Sequence, residues 1–240
     1  MTIYQVKLLN RQTVAEGTMS FIFEKPKGFT FKAGQWGDFT LINPKETDGE
    51  GNTRGFSLTN APSADKIEIA TRMRDTAFKR VLKTLPLGTN LKFEAPGGSF
   101  TLHNNKEIPA VFLTGGIGIT PVRSIVTQAT KDKLPHQIYL FYSNNRPEDA
   151  AFLDELAAFE KENNFYKFIP TMTAMEKSKQ PWNGEKGFIN RAMLEKYIKD
   201  LTKPIYYISG PATMVTAMRK MLNEADINDD NIRTEEFSGY

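Results

Sequence analysis

Leu113-Thr114-Gly115-Gly116-Ile117-Gly118-Ile119-Thr120-Pro121 decides the reading of this chain. Before it, Ala110-Val111-Phe112-Leu113 is a short continuous apolar run of the kind that forms a buried strand. After it, Val122, Ile125, Val126 and Ala129 fall at i, i+3, i+4 and i+7, one face of a helix. Pro121 stands where a helix begins, and a missing N–H costs nothing there. The unit is strand, glycine turn, helix. Glycines let a ligand lie against bare backbone N–H groups, and the helix N-terminus adds partial positive charge, so a diphosphate suits the turn. Glycine turns also serve tight packing, and the stretch alone does not choose between these uses.

The chain after this stretch keeps alternating strand and helix. Ile138–Tyr142 is an apolar strand, and 148–162 reads as a helix with Phe152, Leu156 and Phe159 on one face. Phe165–Ile169 is a strand, and 191–199 a helix with Met193, Leu194, Tyr197 and Ile198 aligned. Ile205–Ile208 is a strand ending in Ser209-Gly210-Pro211, followed by a helix with Met214, Val215, Met218, Met221 and Leu222 inward. The Met stripe reads as core packing. Ile232–Phe237 suits a final strand. Such alternation predicts an α/β doubly wound parallel sheet, in which ligands lie beyond the carboxyl ends of the strands. Three of those ends carry special residues: Gly115–Pro121, Ser143–Arg146 and Ser209–Pro211.

Towards the N-terminus the pattern changes. Tyr4–Leu9, Thr18–Phe23, Asp38–Ile42, Gly55–Thr59, Ile67–Ala70 and Leu91–Phe93 are short β segments separated by Pro, Gly, Asn and Asp. They predict an antiparallel β-barrel or sandwich. One helical patch, Ala77–Leu82, is entered through Asp75-Thr76. The polar run His103-Asn104-Asn105-Lys106-Glu107 reads as a linker, which divides the chain into domains at 1–103 and 104–240.

Composition narrows the function. A formal net charge of +3, evenly spread over 240 residues, gives no argument for a nucleic-acid partner. With no cysteine, the chain has no disulfide, no thiolate metal site and no cysteine-held iron–sulfur cluster. His103 and His136 stand far apart in sequence without a carboxylate motif, so they read as surface or packing residues and no metal site is expected. No run of eighteen apolar residues is present, and Met1–Lys7 lacks the apolar block of a signal peptide, so no membrane span and a cytoplasmic location are expected.

In the first domain, Arg54-Gly55-Phe56-Ser57-Leu58-Thr59 has an Arg-x-aromatic-Ser pattern. It resembles the flavin signature of the ferredoxin–NADP reductase superfamily, and the remaining motifs fall in that family's order. The resemblance implies a flavin-binding barrel followed by a nicotinamide-nucleotide domain. It places Arg54 on the flavin diphosphate, Phe56 against the isoalloxazine and Ser57 beside the flavin N5. Thr76 and Ala77 would open the short helix over the diphosphate, and Gly97, Gly98 and Ser99 would form the turn that closes the barrel. Ala70, Thr71 and Arg72, with Leu58, Thr59 and Thr120, are expected to complete the flavin contacts. Phe237 and Tyr240 are candidates to flank the rings, Tyr240 as a stacking residue. The nucleotide would be met by Thr114, Gly115, Gly116, Ile117, Gly118, Ile119, Thr120 and Pro121. Ser143, Asn144 and Arg146 would add to it, as would Ser209, Gly210, Pro211 and Met214. Ser57, Ser209 and Glu235, the last within Glu235-Glu236-Phe237, are the expected catalytic residues.

The resemblance implies an FAD-dependent oxidoreductase. A hydride would pass from NADPH or NADH to FAD, and single electrons then to a separate acceptor such as a ferredoxin, flavodoxin or oxygenase component. Physical chemistry fits the roles: an Arg fork suits phosphate, an aromatic ring packs on a flavin, and a hydroxyl can relay a proton. Two positions depart from the family, which usually has Tyr at Phe56 and often Cys at Ser209. The first loses a hydroxyl, and the second leaves a cysteine's part in hydride transfer without a counterpart. Ser143 and Arg146 suit the 2′-phosphate of NADPH. Glu148 and Asp149 suit the ribose hydroxyls of NADH, or simply start a helix. A reductase of a diffusible acceptor and a non-enzymatic nucleotide-binding module that has lost flavin are the rival readings.

Overall fold

A computed structural model describes residues 1–237. Tyr240 lies outside them. The first half is a six-stranded antiparallel sheet: β1 (Thr2–Ala15), β2 (Thr18–Glu24), β3 (Trp36–Leu41), β4 (Thr53–Ser57), β5 (Lys66–Arg72) and β6 (Asn90–Gly97). Helix α1 (Ala77–Thr84) lies between β5 and β6 in sequence. The spatial order is β4-β3-β6-β1-β2-β5. The two edge strands, β4 and β5, approach each other without ladder pairing, so the sheet curls into an open barrel. Period-2 alternation turns Val6 and Leu8, Phe21 and Phe23, Ile67 and Ile69, and Leu91 and Phe93 into its interior, all buried. Phe78, Val81 and Leu82 of α1 join that core.

The second half is a six-stranded sheet of the order β10-β9-β8-β7-β11-β12, every neighbour parallel. Its elements are β7 (Ala110–Gly115), α2 (Ile119–Lys131), β8 (Ile138–Asn144), α3 (Leu153–Glu162), β9 (Tyr166–Met172) and β10 (Glu185–Lys186). They continue as α4 (Arg191–Glu195), β11 (Ile205–Pro211), α5 (Ala212–Asn223) and β12 (Ile232–Phe237). β7 lies near the centre and is buried on both faces. Phe112 meets Val122, Ile125 and Val126 of α2 on one side. Val111 and Leu113 meet Met193, Leu194, Val215 and Leu222 of α4 and α5 on the other. Between β7 and β11 the strand order reverses, which opens a crevice at their carboxyl ends.

The two sheets are joined by buried polar contacts. On α2, Arg123 Nη1 donates to Glu68 Oε2 of β5 at 2.8 Å and to the Thr59 carbonyl at 3.2 Å. Beside it, Ser124 Oγ donates to the Asn60 carbonyl at 2.6 Å. Glu155 of α3 closes on the same guanidinium at 3.0 Å.

Several expectations need correction. Residues 148–162 are not one helix: 147–149 form a 3-10 turn, Phe152 takes a left-handed φ of 61°, and α3 starts at Leu153. The ring of Phe152 lies 4.1 Å from the Arg123 guanidinium, a tertiary contact that holds this backbone. The helix expected over 191–199 ends at Glu195. His103 is not part of a solvated linker, and the histidines that stand far apart in sequence meet, with ring centroids 5.3 Å apart. His103 Nε2 donates to the Ile108 carbonyl at 2.8 Å, so Nδ1 accepts from the Tyr207 hydroxyl at 3.0 Å. That hydroxyl accepts in turn from the His103 N–H and from Arg233. His136 Nε2 donates to the His103 carbonyl at 3.0 Å, which makes both rings internal braces. Among the described residues no helix is long and apolar enough to cross a membrane, and no group of three or more His, Cys, Asp or Glu side chains is placed to hold a metal ion.

Candidate functional site

The glycine turn sits where the strand order reverses. Gly116–Gly118 form a single 3-10 turn that leads into α2. Pro121 falls in the first turn of α2, where no intrahelical N–H is needed. Gly118 is pressed against the end of β11: a Cβ there would lie 2.4 Å from the Ser209 carbonyl oxygen, which only glycine permits. Ser209 is fully buried, and its Oγ donates to the Gly118 carbonyl at 2.8 Å. The hydroxyl therefore ties β11 to the turn with its proton already committed.

A cavity of about 290 Å³ opens between β4, β5, α1 and this turn. Arg54, Phe56, Ser57, Ala70, Thr71, Arg72 and Thr76 line it, as do Ile117 and Phe237 from the second half. Sequence reasoning missed three of its charged residues: Glu50, Arg74 and Lys79. Burial, with Arg74 and Arg54 beside it, pulls the Lys79 ammonium down from its ordinary 10.5 to about 8. Its Nζ donates to the Arg72 carbonyl at 2.7 Å. Four cationic side chains against one carboxylate make this wall strongly electropositive.

Acidic residues of the β3–β4 connection balance part of that charge. Arg54 Nη2 pairs with Glu50 at 2.7 Å and with Asp48 at 3.4 Å, while Nη1 donates to the Glu50, Gly51 and Thr53 carbonyls. Asp48 Oδ2 also accepts from the Ala77 N–H at 2.8 Å, capping α1 beside the Thr76 hydroxyl, which accepts from the Lys79 N–H at 3.4 Å. A carboxylate thus bridges Arg54 and a helix N-terminus, the two kinds of group that bind phosphate oxygens.

The two halves meet at Ser57 and Glu235, which are 178 positions apart in sequence. Ser57 Oγ, at the end of β4, donates to Glu235 Oε1 on β12 at 2.9 Å. Burial pushes the Glu235 carboxyl from its ordinary 4.5 up to about 7, against the pull of this hydrogen bond. Phe56 packs on Phe39 and Phe78, with centroids 6.0 and 5.8 Å away. A second hollow runs along Phe56, Ser57, Ser99, Glu235 and Phe237 to Trp36, a residue not singled out in the sequence. Gly98 faces that indole so closely that a Cβ would lie 2.6 Å from its Cδ1.

On the other side of the glycine turn lies a cavity of about 680 Å³, at the carboxyl ends of β7, β8 and β11. Gly115, Gly116, Ser143, Asn144, Pro211 and Met214 line it as expected residues, joined by the unanticipated Thr173, Phe188 and Ile189. Phe188 is 75% exposed at the rim; the only hint in the sequence is an isolated aromatic after Gly187. Asn144 is buried, and neither side-chain amide atom has a partner.

The remaining expected residues are placed otherwise. Leu58, Thr59, Ala77, Thr114, Ile119, Thr120 and Pro121 are buried in the packing, and Thr120 Oγ1 donates to the Ile117 carbonyl at 3.0 Å. Gly97 packs against Trp36, and Gly210 against Gly115. Arg146 turns away from the cavity: its guanidinium is held by Asp149 at 2.8 Å and by Glu16 of the β1–β2 turn at 2.9 Å. Glu148 accepts from the Ser178 hydroxyl and the Lys179 N–H and anchors that loop.

Residues 112–220 match the oxidoreductase NAD-binding domain family. Ferredoxin–NADP reductase B of Sorangium cellulosum is 26% identical over 211 residues, covering 85% of this chain and 83% of that protein. A Na⁺-translocating NADH-quinone reductase polypeptide of Pseudoalteromonas atlantica is 25% identical over 222 residues, covering 86% of this chain. The chain spans about half, 54%, of that polypeptide's length. Among solved structures, the flavohem-like FAD/NAD-binding domain of nitric oxide dioxygenase from Vibrio cholerae superposes with a TM-score of 0.84 at 18% identity, over 97% of this chain and 98% of that one. With an antiparallel barrel, a parallel sheet carrying the NAD-binding domain match, and the motifs in their order, the chain belongs to the ferredoxin–NADP reductase superfamily of FAD- and NAD(P)-binding oxidoreductases.

Proposed function

We propose that the chain is a flavin-dependent NAD(P)H oxidoreductase that takes a hydride from a reduced nicotinamide and hands electrons to a separate acceptor. The observation that carries this reading is the Ser57–Glu235 hydrogen bond, which closes the barrel's cavity against the last strand of the nucleotide-binding sheet. The residues fit FAD. Arg54, Arg74 and Lys79, with the N-terminal N–H groups of α1, match the charge of a diphosphate, and the Asp48 carboxylate that bridges Arg54 and Ala77 already shows that this wall holds an anion. When bound, FAD supplies a ring system that accepts two electrons as hydride and releases them singly.

The chain's own residues do the rest. Phe56 offers an apolar face, and Asp48 gives up the Ala77 N–H to a phosphate oxygen. Ser57 Oγ donates to Glu235, so its lone pairs face outward as acceptors, and Glu235, with a pKa of about 7, holds or releases a proton through Ser57 near neutrality. Ser209 acts by position, fixing Gly118 against β11. We place the domain boundary at the 103/104 junction, between the two sheets.

NADH is the favoured nucleotide. Arg146 is the cation next to the end of β8, and Asp149 and Glu16 fill its fork, so it presents no charge to a 2′-phosphate. Arg146→Ala is expected to change kcat/KM for NADH and NADPH by the same factor; a loss confined to NADPH would refute this assignment. For the acceptor, the names of the relatives, a ferredoxin–NADP reductase and a quinone reductase, support a separate carrier. The deciding experiment is anaerobic mixing with NADH while the visible flavin absorbance is followed. Rapid bleaching is expected, with FAD as the released flavin by chromatography. A protein that is colourless and takes up no added flavin sinks the proposal.

A further inference from the structure

The two cavities share one charged wall. Among the described residues, Arg72 at the end of β5 is the one that lines both the cavity of Arg54 and Thr76 and the cavity of Gly115 and Ser143. The end of β5 packs against the glycine turn, which faces the two spaces in opposite directions: Gly115 and Gly116 line one, Ile117 the other. The neighbouring guanidiniums are committed. Arg54 is held by Asp48 and Glu50, Arg123 by Glu68 and Glu155, and Arg146 by Asp149 and Glu16. Arg72 forms no ion pair within the described residues. Its side chain makes one long hydrogen bond, from Nη2 to the Asp149 carbonyl at 3.4 Å.

A half-buried guanidinium with five donors and no carboxylate, set between two anion-sized spaces, has the chemistry to serve both. We propose that Arg72 bridges the phosphates of the two bound dinucleotides and thereby couples nucleotide binding to flavin retention. This rests on the reading above, in which flavin and nucleotide occupy these two cavities. Two phosphate groups facing each other across a thin wall repel, and a cation between them turns that repulsion into mutual support. Linkage then requires each ligand to tighten the other by the same factor.

The test uses the flavin-loaded protein and oxidised NAD⁺, which binds without turnover. FAD release after dilution is followed by its fluorescence, with and without saturating NAD⁺. For the unaltered protein NAD⁺ is expected to slow release by about fivefold or more, the lower end of typical coupling. In Arg72→Gln the slowing should fall below about twofold, and in Arg72→Lys, which keeps the charge but not the fork, to an intermediate value. Far-ultraviolet circular dichroism checks the fold of each variant, and the lysine variant serves should the glutamine variant lose structure. If the unaltered protein retains FAD and binds NAD⁺ but Arg72→Gln shows the same slowing, the coupling role is overturned while the functional reading stands. If the unaltered protein holds no FAD, both fall.

Discussion

A carboxyl kept protonated near neutrality makes a measurable demand on the fold. Glu235 ionises at about 7 in the folded chain rather than at 4.5, chiefly because it is buried. The folded state therefore binds more protons than the unfolded state between these values. Stability is fully present below about pH 4.5 and is lost as pH rises towards about 7. The loss across that window is about 2 kcal/mol once partial solvent screening is allowed for. Urea unfolding followed against pH should show this decline, and Glu235→Gln should flatten it. Ser57→Ala removes the hydrogen bond that favours the carboxylate, so it should move the alkaline limb of the hydride-transfer rate to higher pH. An unmoved limb would show that this pair does not control the proton.

At the scale of elements, the junction between the halves depends on α2. Its first turn carries the glycine cradle, and its second carries Arg123, which clamps β5 through Glu68. Both side chains are largely buried, 13% and 11% exposed. Arg123→Met leaves Glu68 buried without a partner and should cost about 3 kcal/mol, measured by denaturant midpoint. Adding Glu68→Leu should restore most of that loss, because the penalty lies in the orphaned charge. Such contacts set the limit of what the sequence alone reveals. Strand β7 and the glycine turn were legible because an apolar run and a turn are local signals. Strand β12 was legible over 232–237 for the same reason. Phe152 was not, since its left-handed backbone answers to a guanidinium 29 positions earlier in the chain. His103 sits in a polar run that looks solvated, and its burial comes from Tyr207, a strand away in the other half. In the site, Arg54 and Ser57 stood out as a motif, while Lys79 did not: its place in the cavity depends on α1 capping at Thr76, with no spacing in the sequence to mark it.

For the molecule as a whole, the cavity assigned to flavin draws on both sheets, because Ile117 and Phe237 complete a wall built by β4, β5 and α1. A ligand there should hold the halves together during unfolding. At about a hundred times its dissociation constant, FAD is expected to add about 2.7 kcal/mol and to raise the melting temperature by about 5 to 10 °C in a single transition. FMN, without the second phosphate and the adenosine, should give a smaller rise, and two separate transitions in the presence of FAD would mean that it grips only one half. Glu235 and Phe237 also stand on β12, the element that leaves the ribosome after every other one described. A nascent chain halted at Asn231 would carry the barrel and most of the parallel sheet, yet lack the carboxyl that meets Ser57. Colour is therefore acquired late in synthesis, and in a cell extract the yellow fraction would count molecules that reached this strand and pass over those interrupted before it.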